Sequence, residues 1–133
     1  MRHAGWHRTD GAAAELLPGD FSIAAVEDDE AVNITVVGEL DVLTAGDLAT
    51  LLAAASDSRR DVVVNVSAVS FADSAALSVL VSAHTALGGR GRRLIIRDPS
   101  EPVQQVLELS GLARVLHIER AAGLTDADNP ALT

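Results

Sequence analysis

The segment VVVNVSAVSFADSAALSVLV, which runs from Val62 to Val81, decides how this chain folds. It opens with a near-continuous β-branched run, typical of a central strand that is apolar on both faces and has helices on each side. Leucine and valine then recur at helical spacing, which predicts a helix from Ser74 to Leu87. The residues from Ser70 to Asp73 are expected to connect the two elements. A strand followed by a helix is the repeating unit of a parallel α/β sheet.

The residues before this segment predict a hairpin and a first helix. Phe21–Val26 and Ala31–Val37 are strand candidates, and the second alternates apolar with polar residues. The acidic stretch between them, Glu27–Glu30, is expected to form a solvated turn rather than a metal site. Thr44–Asp47 has the spacing of a capping box, and leucines at helical spacing follow it. That helix is expected to end at Ser56–Ser58.

The residues after the segment predict two more strands and one more helix. Leu94–Ile96 reads as a buried strand, and a helix is expected to begin near Ser100 and end at Gly111. Val115–Ile118 is predicted as the last strand. The predicted order is therefore ββαβαβαβ. The fold class is α/β: a mixed sheet of about five strands, with an N-terminal hairpin plus parallel βα units, flanked by three to four helices.

Composition limits both the core and the chemistry. The 133 residues are the length of one domain. Aromatic residues make up only 2%, so the core is expected to consist of Val, Leu, Ile and Ala. Ten basic against 19 acidic residues give a net charge of -9, which argues against binding nucleic acid or an anionic membrane. The absence of cysteine excludes disulfides, thiolate catalysis and zinc–sulfur sites, and no cofactor or metal is predicted.

Weak patterning at both ends sets the predicted domain boundaries. Residues 1–18 are expected to form a flexible arm, residues 19–120 the folded domain, and residues 121–133 a weakly structured tail. No apolar run reaches the length of a membrane span, and the N-terminus lacks the apolar stretch of a secretory signal. A cytoplasmic location is therefore expected.

Ser74 stands at the predicted helix start, with Asp73 beside it. Both side chains could cap the helix by accepting hydrogen bonds from free backbone N–H groups. Ser74 could equally be a phosphoacceptor, because a phosphate there would meet free N–H groups and the positive end of the helix dipole. The residues leave both interpretations open. In the second, the phosphate leaves the fold intact and acts on the surface where a partner docks.

Several short motifs, taken in order, resemble the STAS domain family of anti-sigma factor antagonists. Asp73–Leu77 (DSAAL) is similar to the family's Asp-Ser-Ser-Gly-Leu motif at the start of a helix. Upstream, Gly38–Asp41 (GELD) matches the family's Gly-x-Leu-Asp segment after the second strand. Downstream, Asp98 with Pro99 and then Leu109–Leu112 (LSGL) fit the third helix and its end. The resemblance spans most of the chain, from about residue 21 to residue 118.

The resemblance implies a binding protein that is switched by phosphorylation. Unphosphorylated members bind an anti-sigma factor that is itself a GHKL-type serine kinase, and this binding releases a sigma factor. The kinase phosphorylates the Ser after the motif Asp and ends the interaction, and a protein-serine phosphatase restores it. Carried over to this chain, the acceptor is Ser74, with Asp41 expected near it at the same edge of the fold. The implied partner-binding residues are Asp41, Asp73, Ala75, Ala76 and Leu77.

Two departures from the motif lie directly after the acceptor. Ala75 replaces its second Ser, and Ala76 replaces its Gly, where a methyl group would alter how closely a partner backbone approaches. The alternative function is a non-phosphorylated accessory subunit of a lipid-transport or signalling assembly, which would use the same helix face as a constant interface. An enzyme ranks lowest, because no set of nucleophile, base and orienting acid can be assembled and no catalytic residue is predicted.

Overall fold

The structure, a computed structural model, describes residues 21–120. In this range the main elements are β1 (Ser22–Glu27), β2 (Ala31–Leu40), α1 (Ala45–Ala55), β3 (Asp61–Ala72), α2 (Ser74–Gly88), β4 (Leu94–Arg97), α3 (Glu101–Ser110) and β5 (His117–Glu119). Short 3-10 turns, Ser56–Ser58 and Leu112–Arg114, follow α1 and α3. The predicted arm over residues 1–18 and the predicted tail over residues 121–133 lie outside the described residues.

The five strands form one mixed sheet in the order β1-β2-β3-β4-β5. The first pair is antiparallel, and β2 to β5 are parallel to one another. The predicted element order and the predicted mixed sheet are therefore confirmed. The hairpin turn is also confirmed, since Asp28 accepts hydrogen bonds from the backbone N–H groups of Glu30 and Ala31. Those bonds lower the pKa of the Asp28 carboxyl.

The three helices pack on one face of the sheet, not on each side of β3 as the sequence predicted. Buried residues of all three helices join one cluster with alternate strand residues such as Ile34, Val64 and Ile96. The other face of β3 carries Val63 and Asn65, which lie outside this cluster. The physical reason is handedness: right-handed crossovers that each step to the next strand in the same direction place their helices on the same face.

Two strands run further than predicted. β2 extends to Leu40 and β3 to Ala72, with Glu39 opposite Phe71 and Leu40 opposite Ala72. The predicted connection before α2 is thus mostly strand, and only Asp73 separates β3 from the helix. The pairing includes register shifts after Thr35 and Gly38, which break the regular alternation on which the sequence reading relied.

The predicted capping box at the start of α1 is wrong. Thr44 occupies the N-cap position, but its side chain makes no cap hydrogen bond. Its hydroxyl instead donates to the backbone carbonyl of Glu39 at 2.6 Å and accepts from the backbone N–H of Asp41 at 2.9 Å. The side chain therefore stabilises the loop that precedes the helix rather than the first turn of the helix.

The last strand begins two residues later than predicted and ends one residue later. The backbone N–H groups of Val115 and Leu116 both donate to the carbonyl of Leu112, each at 2.9 Å. These hydrogen bonds use the N–H groups of the first two residues of the predicted strand for a turn, so β5 begins only at His117. The end of α3 is as predicted, because Gly111 caps it with a φ of 83°.

Two glycines should respond in opposite ways to replacement by alanine. Gly88 lies in α2 with no atom near an added Cβ, so Gly88→Ala is expected to raise the free energy of unfolding by about 0.5 kcal/mol. Gly111 has a positive φ that is unfavourable for alanine, so Gly111→Ala is expected to lower the free energy of unfolding by about 1 kcal/mol. Urea denaturation measures both, and shifts in the same direction would contradict the assignment.

Candidate functional site

The candidate site lies at the edge of the sheet where β2 and β3 end. Leu40 and Ala72 are register partners at these ends. One residue further, the backbone N–H of Asp73 donates to the carbonyl of Leu40 at 3.2 Å. The segment that follows β2, with Asp41, and the start of α2, with Ser74, are thereby brought to the same edge, as the family resemblance implied.

Asp73 caps α2. Its backbone is extended, with φ -124° and ψ -169°, and its carboxylate Oδ1 accepts from the N–H groups of Ala75 at 2.9 Å and Ala76 at 3.3 Å. The next N–H, that of Leu77, donates to the Asp73 carbonyl at 3.1 Å. Of the two capping candidates weighed from the sequence, Asp73 is therefore the cap and Ser74 is not.

Ser74 is the first residue of α2 and is exposed. Within residues 21–120 its hydroxyl makes no hydrogen bond. The hydroxyl is therefore accessible, and no hydrogen bond of the fold in this range depends on it. The expectation that a phosphate there would meet several free N–H groups needs correction, because the Asp73 carboxylate already occupies those of Ala75 and Ala76.

Asp41 organises the loop between β2 and α1. Its carboxylate Oδ1 accepts from the N–H groups of Leu43 at 2.9 Å and Thr44 at 3.1 Å. This is an Asx-type turn, in which a side chain replaces a backbone acceptor. The geometry makes Asp41 the residue that shapes the loop beside Ser74.

Three exposed apolar residues lie in the segments that meet at this edge of the sheet, and the sequence reading missed all of them. Val42 is 73% exposed and Leu43 is 83% exposed, both in the loop that Asp41 shapes. Phe71 is 46% exposed near the end of β3, three residues before Ser74. Exposed apolar residues that cluster around a polar centre are typical of protein-binding surfaces. The sequence offered one signal for such a surface: the apolar pair between Asp41 and Thr44 fits neither the alternation of a strand nor the spacing of a helix.

The three residues after Ser74 differ in exposure. Ala76 is fully buried, so the expectation that its side chain contacts a partner is corrected: its methyl group packs in the core. Leu77 is partly buried and packs against the same core, and Ala75 is also partly exposed. Because Ala76 faces inward, the replacement of the motif glycine leaves the outer surface of the helix start unchanged.

Loss of the cap should destabilise the helix that carries Ser74. Asp73→Ala removes the acceptor of two N–H groups and is expected to lower the free energy of unfolding by about 1 kcal/mol. Asp73→Asn keeps a side-chain oxygen and should lower the free energy of unfolding by clearly less, because Asn is also a favoured N-cap residue. Urea denaturation of both variants makes the comparison. Equal losses in the two would show that charge, rather than capping, is what Asp73 contributes.

The rest of the described chain adds neither a metal centre nor a membrane span. Within residues 21–120 no group of His, Cys, Asp and Glu side chains has the arrangement of a metal site. In the same range no helix combines the length and the apolar character needed to cross a bilayer. The candidate site contains the carboxylates of Asp41 and Asp73, the exposed hydroxyl of Ser74 and exposed apolar side chains, which favours protein binding.

Comparison with known proteins points in the same direction. A model of the STAS domain family matches residues 22–123. An anti-sigma-B factor antagonist of Staphylococcus aureus is 31% identical to the chain over 100 residues, which cover 74% of this chain and 93% of that protein. The protein of the same name from Staphylococcus epidermidis is 30% identical over the same shares of the two chains.

Solved structures share the fold. An anti-sigma factor antagonist from Mycobacterium paratuberculosis superposes with a TM-score of 0.66 at 24% identity, covering 84% of this chain and 92% of that one. The unphosphorylated form of the anti-sigma factor antagonist SpoIIAA gives a TM-score of 0.65 at 22% identity, covering 82% and 91%. The phosphorylated form of the Bacillus protein SpoIIAA gives 0.60 at 22% identity, covering 82% and 95%.

Proposed function

Since this chain belongs to the STAS domain family of anti-sigma factor antagonists, we propose that it acts in the cytoplasm by binding an anti-sigma factor. The unphosphorylated chain binds the anti-sigma factor and so releases a sigma factor for transcription. The anti-sigma factor is a GHKL-type serine kinase, and it ends the interaction by phosphorylating Ser74. A protein-serine phosphatase removes the phosphate and restores binding.

The observation that carries this proposal is the accessibility of the Ser74 hydroxyl. It is exposed at the first residue of α2, and no hydrogen bond within residues 21–120 holds it in place. In the reaction its oxygen attacks the γ-phosphorus of ATP held by the kinase, ADP leaves, and the hydroxyl proton passes to the kinase. This chain contributes the acceptor and presents it, while the kinase supplies the catalytic groups.

Phosphorylation acts through charge at the docking surface. A phosphate on Ser74 adds about -1.5 to -2 charge beside the Asp73 carboxylate. That carboxylate already accepts from two N–H groups of the first turn, so they do not neutralise the new charge. Exposed apolar side chains nearby, Val42, Leu43 and Phe71, supply the contact area that a bound partner covers. A dianion at this surface has to be desolvated when the partner docks, and this opposes binding.

The SpoIIAA structures support the idea that this fold tolerates the modification. That protein has been solved in unphosphorylated and phosphorylated forms, and both superpose on the present chain. In this chain the capping of α2 depends on Asp73 rather than on Ser74, so esterifying the Ser74 oxygen breaks no capping bond. The switch therefore acts on the partner and not on the fold.

Phosphorylation in a purified system tests the proposal. The chain, its anti-sigma factor and Mg-ATP are incubated, and the intact mass and the modified residue are determined by mass spectrometry. We expect one phosphoryl group, on Ser74, and none in Ser74→Ala. Ser70 and Ser78 are exposed serines four residues away on either side, and they serve as internal controls.

Two outcomes would contradict the proposal. Modification of Ser70 or Ser78 instead of Ser74 would place the acceptor elsewhere. Stable binding to the kinase without any modification, together with a Ser74→Ala variant that behaves like the wild type in cells, would favour the non-phosphorylated accessory subunit. That function would use the same surface as a constant interface.

A further inference from the structure

A groove separates the outer surfaces of α1 and α2. It has a volume of about 340 Å³ and is lined by nine residues, of which Leu52 and Val79 are the largest and the others are alanines and serines. The lining is thus mainly apolar, and small side chains of both helices form most of it. We call this feature the α1/α2 groove.

The α1/α2 groove begins beside the phosphoacceptor. Ser78 lines it and lies one helical turn after Ser74 on the same side of α2. Both helices start at the edge where β2 and β3 end, and both run towards the opposite edge of the sheet. The 15 residues of α2 span about 22 Å, so the groove leads from the Ser74 end across the domain.

Arginines surround the far end of the groove. A second cavity of about 330 Å³ is lined by Ser56, Asp57, Arg59, Arg90 and Arg92, and it shares Ser56 with the α1/α2 groove. We call these three arginines with Asp57 the arginine end. Their formal charges sum to +2, from three arginines and one aspartate, on a chain whose net charge is -9. The two cavities thus share Ser56, and the first is mainly apolar whereas the second carries a net positive charge.

Two of the three arginines have unused donors. Arg90 donates to the Ser56 carbonyl at 2.8 Å and to the Asp57 carboxylate at 3.1 Å. The side chains of Arg59 and Arg92 make no hydrogen bond or ion pair with any other residue between 21 and 120. Arg59 also has a φ of 71°, an uncommon backbone conformation for a residue with a side chain. A guanidinium with free donors matches a carboxylate in a bidentate geometry.

We propose that the α1/α2 groove binds an amphipathic helix of the anti-sigma factor, with the carboxylate-bearing end of that helix at the arginine end. The identity of the partner rests on the proposed function, whereas the chemistry of the occupant follows from the groove. Apolar side chains of the helix fill the space between α1 and α2. Its carboxylates face Arg59 and Arg92. Its other end lies on the Ser74 side of the groove.

Synthetic peptides test the chemistry of the groove without any anti-sigma factor, kinase or ATP. The probe is a fluorescent, amidated peptide of about 14 residues, roughly 21 Å long as a helix, with leucines on one face and glutamates at its C-terminus. Its matched control has lysines in place of the glutamates. Fluorescence anisotropy with the full chain is expected to give about tenfold tighter binding of the glutamate peptide.

Substitutions in the chain test where on its surface the peptides bind. Arg59→Ala combined with Arg92→Ala should remove the preference for the glutamate peptide, whereas Arg114→Ala, an exposed arginine outside the groove, should leave it intact. Ala53→Gln combined with Ser82→Gln fills the groove from two exposed positions and should weaken both peptides. Circular dichroism confirms that each variant is folded.

Three results would overturn the inference. Equal affinity of the two peptides would show that charge plays no part in binding. Unchanged affinity of the glutamate peptide for the Arg59 and Arg92 double variant would show that the arginine end takes no part. A concentration-dependent dimer that the glutamate peptide dissociates would assign the groove to a second copy of the chain. Failure of Ser74 phosphorylation would refute the proposed switch but would leave the peptide result standing, so the two failures are distinguishable.

Discussion

Ser74→Asp is expected to weaken binding of the anti-sigma factor by about thirtyfold while the fold stays intact. The change places a carboxylate on an exposed position next to Asp73, at the surface proposed to dock. An unfavourable charge in an interface costs about 2 kcal/mol, which corresponds to this loss of affinity. The fold should tolerate it, because the capping of α2 depends on Asp73 and exposed substitutions usually change stability by less than about 0.5 kcal/mol.

Ser74→Asn is the matched control for this prediction. Asn has nearly the same shape as Asp but no charge, so it should retain most of the wild-type affinity. Isothermal titration calorimetry gives the dissociation constants, and circular dichroism with urea denaturation reports the fold. Equal weakening by Asn and Asp would mean that size rather than charge controls docking. Wild-type affinity of Ser74→Asp would refute the electrostatic switch.

Leu107→Ala is expected to lower the free energy of unfolding by about 3 kcal/mol. The Leu107 side chain is fully buried in the cluster that joins α3 to the sheet. Its truncation loses transfer free energy and leaves a cavity that the surrounding side chains fill only in part. For a domain of this size the loss corresponds to a fall in melting temperature of roughly 10 °C or more.

Leu109→Ala tests this prediction in the same helix with the same chemical change. Leu109 is 82% exposed, so its truncation should change the free energy of unfolding by less than about 0.5 kcal/mol. Thermal and urea denaturation of the two variants side by side make the comparison. Similar losses in both would contradict the placement of α3, because its inner and outer faces would then be equivalent.

The sequence predicted the element order because its signals are local. Leucines at helical spacing, the β-branched run of β3 and the glycine after α3 each act within a few residues. The sequence predictions failed where a hydrogen-bonding group finds a partner outside the predicted element. The Thr44 hydroxyl bonds to Glu39 rather than capping α1, and pairing with β2 extends β3 to Ala72. The fold comparisons confirm the overall architecture that the local signals indicated.

The candidate site, like the fold, could be predicted from the sequence only in part. The position of Ser74 at a helix start follows from a short motif, and the cap beside it follows from the residue types. The exposure of Val42, Leu43 and Phe71 does not follow from local pattern, because it depends on how the Asp41 turn and the end of β3 lie against each other. The burial of Ala76 likewise depends on which side of α2 meets the sheet.

The amino-acid sequence by itself determined the α/β class, the aliphatic core and the serine at the helix start, since each depends on neighbouring residues and their spacing. The tertiary structure alone decided which face of the sheet the helices cover, since that depends on the handedness of three crossovers. It also decided that Arg59 and Arg92, 33 positions apart in the chain, line the same cavity. Contacts of this kind form between elements, and a local pattern carries no information about them.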